Sequence, residues 1–228
     1  MSAVAARREP GGRRCVVFDL DGTLVTSDSF TRLLTTVLRR SPARLGLVVL
    51  TAPAWLVLGL RRATRPRAER LVVWSITVGR SRCGFEALLR VFAAEHAGEG
   101  GGRRVPSALQ RLHGHLRAGD RVVVATACAE PLARAVCDVL DLPGAEVVAS
   151  AFTPHRWRLP HAVPARGAVK LDALRAAGVA LPVDHAYSDS AADLPLLRAA
   201  RTAHLVRPSR RDLPVLLREL GADVEVLR

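Results

Sequence analysis

The sequence predicts an α/β protein, a parallel sheet covered by helices, with a helical insert after its first strand. Three observations carry this. Short apolar runs of strand character recur at 121–127, 146–150, 185–189 and 203–206, with helical stretches between them. One more run of the same kind, "VVFDLDGTLV" at 16–25, stands alone near the start. Between the two regions, from about Thr26 to Ala118, the pattern is helical and lacks strand character. Strand–helix alternation builds a parallel sheet, and ligands of such sheets bind at the carboxyl ends of the strands. With 228 residues, 49% of them apolar and 24% charged, the chain can bury a full core, and one or two domains fit.

In order along the chain, the basic start "MSAVAARREPGGRR" has no apolar core of 7–15 residues and is not a secretory signal. Residues 1–13 read as a flexible lead-in. The first strand then ends on two acids. Alternation along a strand puts Asp19 and Asp21 on one face and Leu20 on the other. Two adjacent carboxylates are unfavourable unless a cation joins them or one takes up a proton. The alternatives are a charged strand end before a Gly-Thr turn, or a site for Mg²⁺ and nucleophile-plus-acid chemistry.

Helical patterning in the insert fits 30–40, 67–79, 85–96 and 107–116, with breaks at Pro42, Pro66, "GEGGG" (98–102) and Pro106. "GEGGG" reads as a hinge or loop. The run "LGLVVLTAPAWLVLGL" (45–60) is apolar on every face, and its 16 residues make about 24 Å of helix against roughly 30 Å of hydrocarbon. Pro53 interrupts it. It reads either as a buried core helix or as a segment that meets lipid, and the eight arginines and absence of acids between Ser29 and Ala68 favour the second.

In the second half, strand 121–127 reaches Thr126, whose hydroxyl and neighbouring N–H groups suit a phosphate oxygen. Helices are expected near 131–140, 169–177, 194–200 and 213–220. Lys170 opens the second of these. Strand 185–189 runs into "YSDSAADLPLL", with Asp189 at its tip and Asp193 about one turn later. Each residue alone is a weak signal, but all fall at successive carboxyl-terminal edges.

The 34 basic residues outnumber 21 acidic ones, a net charge of +13 that attracts polyanions such as nucleic acid, an anionic membrane or phosphorylated substrates. Nine aromatics give little stacking capacity for nucleic acid, which does not explain the apolar segment either. Every cation of the 34 is arginine except Lys170, which points to a place where a compact ammonium fits and a planar guanidinium does not. Cys15, Cys83, Cys128 and Cys137 are scattered without a C-x-x-C pair, as expected of a reducing compartment without a zinc site. Cys128 reads as a packed thiol.

"FDLDGTL", Thr126 after an apolar strand, Lys170 and "YSDSAADLPLL" resemble the four motifs of the haloacid dehalogenase superfamily in its phosphatase form, on the phosphoserine phosphatase-like side. The resemblance implies a Rossmann-like core at 14–25 and 119–228 and a helical cap at 26–118. It implies Asp19 as the nucleophile that forms an aspartyl-phosphate, and Asp21 as the acid and then base. It implies Mg²⁺ held by Asp19, Asp189 and the Asp21 carbonyl, with Asp193 supporting that shell or pairing with Lys170. Thr126, Lys170 and the main chain at Ala127 would bind phosphoryl oxygens, although "TACAEP" departs from the Gly or Ser that many relatives carry after the hydroxyl residue. Dehalogenases of the superfamily lack the second aspartate and its ATPases carry D-K-T-G-T, so Leu20 and Asp21 argue for a phosphatase.

The cap sequences "FTRLLTTVLRRSP" and "RAERLVVWSITVGRS" with the apolar run between them look like the bacterial phosphatidylglycerophosphatase C family. That resemblance implies an anionic phospholipid substrate and a peripheral or re-entrant position on the cytoplasmic face of the plasma membrane. The alternative is a cytoplasmic enzyme for small soluble phosphomonoesters.

Overall fold

A computed structural model describes residues 13–61, 64–153, 155–157, 161–163 and 167–228. Apart from Arg13, the expected flexible lead-in lies outside the described residues. Strand β1 (Cys15–Phe18) is followed by five helices, α1 (Ser29–Arg40), α2 (Pro42–Leu60), α3 (Arg65–Thr77), α4 (Arg82–Ala97) and α5 (Pro106–Arg117). Alternation resumes with β2 (Arg121–Ala129), α6 (Glu130–Val139), β3 (Glu146–Thr153) and β4 (His161–Val163). The chain continues through α7 (Ala168–Ala176), β5 (Val183–Ser188), α8 (Leu194–Arg198), β6 (Ala200–Val206), α9 (Asp212–Leu220) and β7 (Glu225–Leu227). The α/β expectation is borne out.

The sheet order is β4-β3-β2-β1-β5-β6-β7, parallel throughout except for β4, which runs antiparallel to β3. The strand order changes direction between β1 and β5, which opens a crevice at their carboxyl ends. The valine-rich β1 and β2 are buried on both faces, as central parallel strands must be. Val16 and Phe18 enter one core with α4, α5 and α6, while Val17 enters the other with α7, α8 and α9.

Several local expectations are corrected. Pro53 does not interrupt α2, which runs 19 residues, about 28 Å, with none of them buried. The buried-core reading of that segment therefore fails. Among the described residues it is the one helix long and apolar enough to cross a membrane. The "GEGGG" segment, read as a hinge or loop, is a connection between α4 and α5 in which Glu99–Gly101 forms a 3₁₀ turn closed by Gly102 at φ +61°. Strands β4 and β7 were not expected; each has three residues, too few to show a period.

Candidate active site

Phe18 stacks face to face on Tyr187 with ring centroids 4.1 Å apart, and the Asp19 N–H donates to the Tyr187 carbonyl at 2.9 Å. These contacts bring the tips of β1 and β5 side by side, and with them Asp19 and Asp189. β1 ends at Phe18, so strand alternation does not orient the two acids of the first motif. Beyond it the chain turns on itself: the Gly22 N–H donates to the Val25 carbonyl at 2.6 Å and the Leu24 N–H to the Leu20 carbonyl at 2.9 Å. Gly22 has φ +87°, and a Cβ there would lie 2.1 Å from Asp189 Oδ2. Only glycine lets the two strand tips approach this closely.

The buried Lys170 ammonium, at the start of α7, lies 2.8 Å from Asp19 Oδ1 and 2.7 Å from Asp193 Oδ1. Asp193 is held in turn by the Ser188 hydroxyl, which donates to its Oδ2 at 2.9 Å. Burial pushes the Asp19 carboxyl up, against the pull of Lys170. Burial also works against the Lys170 charge, but Asp19 and Asp193 more than offset it and hold the ammonium above its ordinary pKa. Thr126 is buried and lies within β2 rather than at its tip, since that strand continues past an irregularity in its pairing with β3 between Ala125 and Ala129. Its Oγ1 accepts the Cys128 N–H at 3.0 Å, which leaves its own hydrogen to give. Cys128 is itself buried, and burial pushes its thiol well up.

Asp21 is turned toward α1, where its Oδ1 accepts both the Ser29 N–H at 2.9 Å and the Ser29 hydroxyl at 2.5 Å. Burial pushes its carboxyl up to about 6, with the two Ser29 bonds resisting. Burial likewise pushes Asp189 up to about 6; the Thr23 hydroxyl reaches its Oδ1 only at 3.3 Å. Neither Ser29 nor His96, whose Nε2 lies 3.2 Å from the Ser29 hydroxyl, is singled out by the sequence. Ser29 lies just before the helix expected at 30–40, and nothing in the sequence pattern signals that it meets Asp21.

Asp19, Asp21, Asp189, Asp193, Lys170, Thr126 and Ala127 all line one cavity of about 1090 Å³. Asp19, Asp21 and Asp189 offer only oxygen, the chemistry of a hard cation, and Asp189 is a half-buried carboxylate with weak protein partners. The residues therefore fit Mg²⁺, which is commonly held by one or two carboxylates with water completing the shell. Among the described residues no three His, Cys, Asp or Glu side chains form a metal cage, and Asp21 turns Oδ1 toward Ser29, from which it accepts both hydrogen bonds. The cavity continues away from the acids to Trp55, Leu56 and Leu60 of α2 and to Ala68, Arg70 and Val73 of α3.

The fold is shared with solved structures of low sequence identity. A protein of unknown function from Bordetella pertussis Tohama I is 21% identical, with 95% of this chain and 98% of that chain covered and a TM-score of 0.69. A phosphoserine phosphohydrolase-like protein from Francisella tularensis subsp. tularensis SCHU S4 is 16% identical, with 94% and 95% covered and a TM-score of 0.56. A phospho-aspartyl intermediate analogue of phosphoserine phosphatase is 15% identical, with 95% and 94% covered and a TM-score of 0.55. Residues 16–198 match the haloacid dehalogenase-like hydrolase model, so the chain belongs to that family of hydrolases.

Proposed function

We propose that the protein is a phosphomonoester phosphatase working through an aspartyl-phosphate on Asp19. The observation that carries this reading is the buried Lys170, which bridges Asp19 and Asp193 in a cavity also lined by Asp21 and Asp189. Asp19 attacks phosphorus and the ester oxygen leaves, taking a proton from Asp21. Asp21 then removes a proton from the water that releases phosphate from Asp19. Lys170, the Thr126 hydroxyl and the main chain at Ala127 bind the phosphoryl oxygens and stabilise the charge that spreads over them. Asp19, Asp189 and the Asp21 carbonyl would hold Mg²⁺, which supplies charge neutralisation between the carboxylates and the phosphoryl group. On this reading the helices at 26–118 form a cap over a core made of 14–25 and 119–228.

The substrate is proposed to be a phosphomonoester with an apolar portion, of which phosphatidylglycerophosphate is the specific candidate. The supporting observation is the cavity's apolar extension to α2 and α3. At about 1090 Å³ it exceeds the roughly 300–1,000 Å³ usual for a drug-sized ligand. Val49, Leu50, Val57 and Leu60 of α2 are exposed, and arginines stand at both of its ends. Leu33 and Val37 of α1 and Ala68, Val73 and Ile76 of α3 are buried in the protein, so α2 is tethered to one body at both ends. That favours a helix lying along or dipping into the cytoplasmic face of the membrane over a single crossing. A second reading, a small soluble substrate handled in the cytoplasm, draws support from the phosphoserine phosphatases that share the fold. Phosphate release from phosphatidylglycerophosphate, phosphatidic acid, phosphoserine and an aryl phosphate, with co-sedimentation on anionic vesicles, separates the two. Preference for a lipid and vesicle binding support the first, and preference for phosphoserine without binding supports the second.

A further inference from the structure

Asp21 Oδ1 is filled twice by one residue, the Ser29 N–H at 2.9 Å and the Ser29 hydroxyl at 2.5 Å. Among the described residues its Oδ2 takes no hydrogen bond, and the side chain lines the cavity. Ser29 is fully buried in the first turn of α1, and its hydroxyl lies 3.2 Å from Nε2 of the buried His96 on α4. The His96 ring stacks on Phe92, with centroids 5.0 Å apart and planes 16° apart, which fixes its orientation. A serine hydroxyl has one hydrogen; given to Asp21, it leaves only lone pairs for His96. The imidazole must then carry its proton on Nε2 and donate.

Helix capping alone does not account for this arrangement. The side chain that caps α1 is Asp28, whose Oδ1 accepts the Thr31 N–H at 2.6 Å. Ser29 and His96 are 67 residues apart and on different helices, yet their polar atoms meet behind the carboxyl that faces the substrate cavity. Neither residue reaches the cavity lining.

We propose that Ser29 and His96 are positioning residues for Asp21: the chain from His96 Nε2–H to Ser29 Oγ–H to Asp21 Oδ1 locks the carboxyl so that Oδ2 alone faces the leaving oxygen. The inference rests on the phosphatase reading, in which Oδ2 gives its proton to the departing alkoxide as the bond between that oxygen and phosphorus breaks and the bond from Asp19 forms. A carboxyl free to rotate would meet that oxygen in the wrong geometry. The defect would grow with the basicity of the leaving group, since a nitrophenolate departs without help and an alkoxide does not.

The test is single-turnover alcohol release and phosphoenzyme formation with an alkyl phosphate and with 4-nitrophenyl phosphate. Ser29→Ala should slow the alkyl ester by about 100-fold and the aryl ester by only a few-fold, with little change in KM. His96→Gln, which keeps an N–H donor, should recover much of the alkyl rate that His96→Phe loses. Should Ser29→Ala not fold, the two His96 variants carry the same comparison. Equal losses on both esters, or a glutamine variant no better than phenylalanine, would overturn the positioning role. If wild type forms no phosphoenzyme on Asp19, the phosphatase mechanism fails and the inference falls with it. If wild type forms one and the variants do not discriminate, only the inference fails.

Discussion

Lys170 Nζ sits 2.8 Å from Asp19 Oδ1, between a carboxylate on the tip of β1 and Asp193 just past β5, and it is the only lysine in the chain. The side chain is buried where it lines the cavity, with its ammonium held between the two carboxylates. A guanidinium is broader, planar and carries its charge farther from the stem. Lys170→Arg should therefore lose at least about 100-fold in kcat, close to the loss in Lys170→Ala. An arginine variant with near-wild-type phosphate release would show that the position tolerates any cation.

Gly22→Ala should damage both fold and site. The new Cβ meets Asp189 Oδ2 at 2.1 Å, and φ +87° adds about 1–2 kcal/mol of backbone strain for any residue with a side chain. Thermal unfolding should move down by several degrees, and activity should fall further than that loss explains. Isothermal titration with Mg²⁺ should show weakened binding, and unchanged binding would contradict the close approach.

The Asp189 carboxyl makes stability depend on pH with a definite sign. Burial raises it from 3.8 to about 6, so the folded metal-free protein holds a proton that the unfolded chain has released. Its contribution is fully present below pH 3.8 and is lost as pH rises through about 6. After screening, the loss is about 2 kcal/mol. Without metal, Asp189→Asn should match wild type near pH 4 and exceed its melting temperature by several degrees at pH 7. Mg²⁺ should raise the wild-type value at pH 7 and leave the asparagine variant nearly unmoved. A difference that shrinks as pH rises would contradict the assignment.

The exposed side of α2 is predicted to meet anionic lipid. Leu47, Trp55 and Leu58, which the sequence alone offers as readily as their neighbours, are half-buried, and the outward set clear of the cavity is Leu45, Val49, Leu50 and Val57. Replacing those four by serine or glutamine should release the protein from anionic vesicles. It should lower lipid turnover at least about tenfold while leaving aryl phosphate turnover within about twofold. Added salt should weaken wild-type binding, since each arginine near the surface contributes on the order of 1 kcal/mol that ions screen. Equal losses on both substrates would indicate that α2 serves the fold and not a membrane.

The sheet was legible because its central strands are valine runs separated by helical periods, and the candidate residues because they fall where those runs stop. Asp19 and Asp189 needed no more than that. What the sequence did not carry depends on partners brought in from elsewhere. The three residues of β7 become a strand only because the edge of β6 is open beside them. Helix α2 continues through Pro53 because an exposed helix can give the freed carbonyl to water. Asp21 was placed on a strand face by alternation, whereas a turn at Gly22 and two bonds from Ser29 orient it. His96 joins it only through the packing of α4 against the rest of the fold.

The most direct measurement is a rapid quench of the enzyme with labelled substrate and Mg²⁺, followed by hydroxide-lability tests and peptide mapping of the labelled site. The account predicts a hydroxide-labile phosphoryl group on Asp19, formed at a rate no slower than turnover and absent from Asp19→Asn, which should remain folded. Phosphate release without any covalent intermediate, a label on another residue, or substantial turnover by Asp19→Asn would contradict it.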